Sequence, residues 1–179
     1  MIRVRFHAVD TFLAIASKRD WRRYGDRPVP DDVANRILDA GRLSGSAMNR
    51  QPWRFVVPGA EARERLAETV YAPDNVRTAG LVVAIVAQGE GGGWAGFDSG
   101  RAAQNMMLAA WNDGVVSCPN GTADADRAAA ALALASGERV VNVLSFGYPQ
   151  REASPEARSP EEWSADANRR PLDDVVTRA

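Results

Sequence analysis

The 179-residue chain carries 22 Lys and Arg against 23 Asp and Glu, a formal net charge of −1, and 45% hydrophobic residues. That content supports one sizeable core in one domain, and the near-neutral balance argues against a nucleic-acid or membrane-surface protein, which would show a basic excess. The single cysteine, Cys118, excludes an internal disulfide and a cysteine-built metal site, and fits a reducing cytoplasmic setting.

Arg3 and Arg5 lead into His7, Asp10 and Thr11, which is not a run of the signal-peptide type. Val9, Phe12, Leu13, Ile15 and Ala16 predict a helix over about 8–18. After Pro28 and Pro30, Asp31 or Asp32 is expected to cap a helix of about 31–43 with an apolar stripe of Val33, Ile37, Leu38 and Leu43. Trp53 to Val57 reads as a strand, Pro58-Gly59 as a turn, and Glu61 to Thr69 as a helix facing Leu66 and Val70 inward. The run from Leu81 to Ala87, nearly all β-branched or small, is expected to be a central strand buried on both faces. A Gly-rich loop precedes a buried helix from Arg101 to Asn112, a short strand from Val115 to Cys118, an Ala-rich helix over 124–135 and a strand from Arg139 to Phe146. Residues 150–168 show no pattern and read as an arm across another subunit or a linker, before β-branched Val175-Val176-Thr177 restores order. The core is therefore set at 1–149, with 150–179 as a C-terminal arm and final strand of the same domain.

Gly91-Gly92-Gly93-Trp94-Ala95-Gly96 satisfies the dinucleotide pattern G-x-G-x-x-G, but Asp113 is misplaced for a ribose contact, so a surface loop is the better reading. The sole histidine, His7, has no nucleophile motif beside it, which argues against a triad, and the His and Cys spacing supports no metal site. Any hard chemical step then falls to a cofactor.

Three clusters remain. Lys18, Arg19, Arg22, Arg23 and Arg27 form a basic group that suits either a phosphate or a solvated helix end. The polar corner Ser44-Gly45-Ser46-Ala47-Met48-Asn49-Arg50-Gln51-Pro52-Trp53-Arg54 offers amide and hydroxyl groups of a ligand site, or else an ordinary helix end before a strand. Arg169-Arg170 adds a second basic pair near the C-terminus.

In this order the segments resemble the FMN-dependent nitroreductase family from about residue 15 to 176. Lys18 to Tyr24 stands where the family has Arg-Arg-Ser-x-Arg-x-Phe, and Gly45 to Trp53 matches its Pro-Ser-x-x-Asn-x-Gln-Pro-Trp corner. Gly100 to Ala110 resembles its central helix, Gly114 to Gly121 the loop passing the flavin ring, and Arg169 to Val175 its terminal segment. The resemblance implies an α+β fold, a three-layer α-β-α sandwich on a mostly antiparallel sheet, assembled as an intertwined homodimer with FMN at the subunit interface. It places Lys18, Arg19, Asp20, Arg22, Arg169 and Arg170 around the phosphate. Ser46, Asn49 and Gln51 then lie along the ribityl chain and ring edge, Pro119, Asn120 and Gly121 near the reactive nitrogen, and Met48 toward substrate. Asp20 departs from the family's Ser. The implied activity is hydride transfer from NAD(P)H through FMN to a nitroaromatic or quinone in a ping-pong cycle, with no catalytic side chain required. A flavin- or deazaflavin-binding protein with little turnover and a specialised oxidase or dehalogenase are the alternatives, with residues 89–97 as a candidate lid.

Overall fold

The computed structural model describes residues 10–89, 93–151 and 154–178. His7 lies outside them, as do Gly91 and Gly92 of the glycine motif.

Seven α-helices and four strands are defined among the described residues. Helix α1 spans Thr11–Ser17, capped by the Asp10 carboxylate, which accepts from the Phe12 and Leu13 N–H groups. Helix α2 spans Asp31–Arg42, but neither aspartate caps it. Pro30 occupies the cap position without a side-chain bond, and Asp31 and Asp32 sit inside the first turn, where carboxylates meet the positive end of the helix dipole. Strand β1 is Trp53–Val56, α3 is Ala60–Ala67 and α4 is Pro73–Arg77. The sequence pattern misses α4, whose end is closed by Arg63 donating to the carbonyls of Val76, Arg77 and Ala79.

Strands β2 (Leu81–Gln88), β3 (Val116–Asn120) and β4 (Glu138–Gly147) complete an antiparallel sheet ordered β1-β2-β4-β3. Strand β2 is buried along seven of its eight residues, as its composition predicts. Alternation divides its side chains between two cores. Val82 and Ala84 join Ala14, Leu66, Val76 and Ala128 on the face covered by α1, α3, α4 and α6 (Ala125–Ala131). Leu81, Val83 and Ile85 join Ile37 and Met106 on the face covered by α2 and α5 (Gly93–Asn112). This is the expected three-layer α+β sandwich.

Helix α5 spans Gly93–Asn112, beginning eight residues before Arg101. The part of the glycine motif that is described is therefore a helix start rather than a surface loop. Strand β3 extends to Asn120 and takes up Pro119, which is tolerated on an edge strand.

The C-terminal segment departs furthest from expectation. A short turn at Pro155–Ala157 leads into α7, Pro160–Asp166, opened by a reciprocal capping box between Ser159 and Glu162. Trp163 Nε1 donates to the Pro155 carbonyl at 2.8 Å, and the guanidinium groups of Arg158 and Arg19 lie 4.9 and 5.4 Å from its ring. In the single chain these residues dock on α1 instead of forming an unpatterned arm. The expected final strand is absent among the described residues: Leu172–Asp174 is a 3₁₀ turn, and Leu172, Val175 and Val176 are exposed. No helix among the described residues is long and apolar enough to cross a membrane.

Candidate functional site

Four separate stretches of sequence converge on one cleft of about 470 Å³, lined by Ile15, Lys18, Arg19, Asp20, Gln104, Met107, Pro119 and Arg169. Lys18 and Asp20 follow the end of α1, Gln104 and Met107 lie one turn apart on α5, Pro119 comes from β3, and Arg169 follows α7. The Asp20 backbone is fixed by a bridge to Ser117, with the Trp21 N–H donating to the Ser117 carbonyl at 3.0 Å. The Lys18 side chain is only 9% exposed, its ammonium paired with the Asp20 carboxylate and 3.4 Å from the Met107 sulfur. A nearly buried cation at the foot of a cleft that also takes Arg169 makes a site for an anion. Gln104 and Met107 were not singled out from the sequence, although a glutamine beside the apolar stripe of Ala102, Ala103 and Met106 is a signal of a wetted face.

Arg19 lines the cleft but is already engaged. One of its terminal nitrogens donates to the Ala16 and Lys18 carbonyls at 2.6 and 3.0 Å, and the other to the Trp163 carbonyl. It ties the end of α1 to α7, and so supports the segment that delivers Arg169.

Other expected contacts lie elsewhere. Arg22 faces a neighbouring cleft of about 490 Å³ with Trp21, Arg23, Gln150 and Arg151, divided from the first by Asp20. Arg170 donates to the Asp174 carbonyl, so its guanidinium closes the C-terminal turn. Asn120 is 4% exposed and its amide is used inside the sheet: Nδ2 donates to Cys118 O, Val143 O and Ser145 Oγ, while Oδ1 accepts from Asn75. Its side chain is a core hydrogen-bonding group, not one aimed at a ligand. Gly121 packs under the ring of Tyr71, which is 78% exposed. Burial pushes the Cys118 thiol above its ordinary range against the opposing influence of Arg22, and burial likewise raises the Tyr24 phenol, whose hydroxyl lies 2.7 Å from Ser145 Oγ.

The corner forms a second feature, separate from the cationic cleft in this chain. Met48, Asn49 and Gln51, the last two separated by a right-handed Arg50, have φ of 50°, 53° and 47°, three left-handed positions without glycine. Each such residue costs roughly 1–3 kcal/mol and persists only where surrounding contacts impose it. Here the Ser46 hydroxyl accepts the Gln51 N–H at 2.8 Å, and the Ser44 hydroxyl accepts from Asn105 at 2.7 Å. Asn49, Gln51 and Met48 project outward, and Gln51 borders a third cleft with Leu38, Arg42, Trp53 and Phe55. The serine hydroxyls are used to hold the corner, and the Gln51 amide donates to the Asn49 carbonyl at 3.4 Å, which leaves the exposed amide groups of Asn49 and Gln51 as the corner's accessible polar surface.

Comparison with known proteins agrees with this architecture. The chain is 32% identical over 111 residues to a candidate NADH dehydrogenase/NAD(P)H nitroreductase of Methanothermobacter thermautotrophicus, covering 60% of this chain and 58% of that protein. It is 28% identical over 190 aligned positions to an NADH dehydrogenase of Thermus thermophilus, covering 85% and 93%. Among solved structures, a candidate nitroreductase from Desulfovibrio desulfuricans in complex with FMN superposes with a TM-score of 0.77 at 28% identity, over 96% of this chain and 98% of that one. The nitroreductase family model matches residues 15–73 and 69–148, and the chain belongs to the nitroreductase family.

Proposed function

We propose that the protein is an FMN-dependent oxidoreductase that takes hydride from NAD(P)H and passes it to an electron-poor acceptor, a nitroaromatic or quinone, in a ping-pong cycle. The convergence of Lys18, Asp20, Pro119 and Arg169 with Gln104 and Met107 on one cleft carries this reading. The donor set fits a flavin mononucleotide: Lys18 and Arg169 supply cations for the phosphate, and the apolar walls from Ile15, Met107 and Pro119 suit a flat ring system. FMN, when bound, supplies the hydride-transfer chemistry.

The chain's own tasks are binding and orientation. The Lys18 ammonium, with one of its three donors on Asp20, can turn another to a phosphate, while Arg19 holds α7 so that Arg169 stays at the cleft. Ser46, Asn49 and Gln51 supply amide and hydroxyl partners for the ribityl chain and ring edge, with Met48 toward substrate. Because this corner does not reach the cationic cleft of its own chain, we assign it to the cleft of a second copy in a homodimer. The exposure of Phe12, Ile15, Leu172 and Val175 supports such an assembly. The Lys18–Asp20 pair favours one second reading, a deazaflavin or a loosely held flavin, since a carboxylate beside the anion site opposes a dianionic phosphate.

The absorption spectrum of the purified protein tests the proposal. A yellow protein, bleached anaerobically by NAD(P)H and recoloured by a nitro compound, is the expected result. A colourless protein that cannot be reconstituted with FMN overturns it.

A further inference from the structure

We propose that Asp98 is a positioning residue for the corner: one carboxylate oxygen, through the Ala47 N–H, fixes the strained turn whose left-handed residues present Asn49 and Gln51. Asp98 lies on α5 and is 2% exposed. Its Oδ2 accepts the Ala47 N–H at 3.0 Å. Among the described residues its Oδ1 has no hydrogen-bond partner, and it forms an ion pair with Arg101 Nη1 at 3.5 Å. Burying a carboxylate with so few partners is unfavourable, and the one N–H that it holds is that of Ala47.

The held group is the start of the 3₁₀ turn at Ala47–Asn49. The usual way to satisfy the N–H groups at such a start is the preceding side chain. Ser46 makes no such cap, because its hydroxyl already accepts from Gln51. Asp98 performs the capping from another element. The same helix face repeats the device at helical spacing: the guanidinium of Arg101 lies where a side chain at Gly45 would be, its Nη2 2.7 Å from that position, and Asn105 donates to Ser44. One turn around the helix, Gln104 and Met107 face the cationic cleft. Helix α5 is thus a rigid member common to the corner and the anion site, and Asp98 is its contact with the strained part.

The geometric claim stands on this chain alone, and its consequence for cofactor affinity rests on the flavin reading. Hydrogen exchange of the apoprotein and fluorescence titration with FMN, on wild type, Asp98→Ala and Asp98→Asn, test both. Loss of the capping acceptor in Asp98→Ala should speed exchange of the Ala47 and Gln51 amides about tenfold and weaken FMN binding by a similar factor, with the sheet amides unchanged. Asp98→Asn keeps an oxygen for the same N–H and should stay within about threefold of wild type in both. Wild-type exchange in Asp98→Ala, exchange raised throughout the sheet, or equal damage in Asp98→Asn each overturn the proposal. A wild-type protein that takes up no FMN refutes the flavin reading, while the exchange comparison still decides the role of Asp98.

Discussion

Lys18 offers the sharpest test of the anion site, because its substitution and that of its neighbour should act in opposite directions. The Lys18 side chain is 9% exposed and that of Asp20 48%. Lys18→Met keeps the unbranched stem against Met107 and leaves a carboxylate that water can reach, so the fold should lose under ~1 kcal/mol. A phosphate deprived of that ammonium loses a charge-assisted hydrogen bond worth roughly 1.5–3 kcal/mol, a weakening of FMN binding of roughly 10- to 160-fold. Asp20→Ser frees the ammonium, removes a like charge and adds a hydroxyl donor, and should tighten binding by up to ~1 kcal/mol, about fivefold. Titration of each apoprotein with FMN, followed by quenching of flavin fluorescence, reads both constants. Repeating it at higher salt should narrow the differences, since the cleft is open to screening. Wild-type affinity in Lys18→Met, or a shift of the two variants in the same direction, refutes the placement of the phosphate at Lys18.

The sheet was the most legible part of the chain because burial on both faces leaves a plain mark: the Leu81–Gln88 strand is β-branched or small almost throughout. Helix starts were less so. The early turns of α5 contain Gly93, Gly96 and Gly100, which read as loop, yet Asp98 and Ser99 in the same stretch are buried, and Asp98 ties the helix to the corner through the Ala47 N–H. Tertiary packing overrides propensity there. The C-terminal helix carried a local signature, Ser159-Pro160-Glu161-Glu162, that a reading based on apolar periodicity passes over, since Trp163 is the one large apolar residue of 150–168. At the site, residue type located the basic cluster but not its division of labour. Lys18 faces the cleft, Arg19 binds carbonyls, and Arg22 turns to the adjacent cleft, because the bridge between Asp20 and Ser117 directs the chain between them. Asn120 shows the opposite failure: the family resemblance sets it near the flavin ring, and only the register of β3 on β4, which puts it opposite Val143, reveals it as an internal partner.

The remaining expectations concern stability as well as binding. Asn120→Leu leaves Asn75, Ser145 and two strand carbonyls without their amide partner, and should cost about 3 kcal/mol in urea unfolding. FMN affinity should hardly change, and a large loss of affinity without loss of stability would restore Asn120 to the ligand site. Cys118 and Tyr24 both have proton affinities raised by burial, so the folded chain retains their protons where the unfolded chain releases them. Their stabilising effect is complete below the ordinary thiol value of 9.0 and is lost as pH rises through the raised folded values, so unfolding midpoints should fall above about pH 9. Cys118→Ser should flatten the first part of that decline, and an unchanged alkaline limb would count against a buried protonated thiol. At the acid end Glu64 and Glu138 are held below their ordinary value of 4.5 by Arg77 and Arg54, so their contribution is present above pH 4.5 and is lost as pH falls through the lowered values. Trp163→Ala removes an indole hydrogen bond and two cation–π contacts, about 2 kcal/mol in all, from the packing that holds α7 on α1. Trp163 does not line the cationic cleft, and Arg19, which lies 5.4 Å from its ring, is committed to backbone carbonyls, so a weakening of FMN binding is expected to pass through Arg169. The double variant Trp163→Ala/Arg169→Ala should therefore bind no more weakly than Arg169→Ala alone, whereas additive losses would show that α7 and Arg169 act on the cofactor separately.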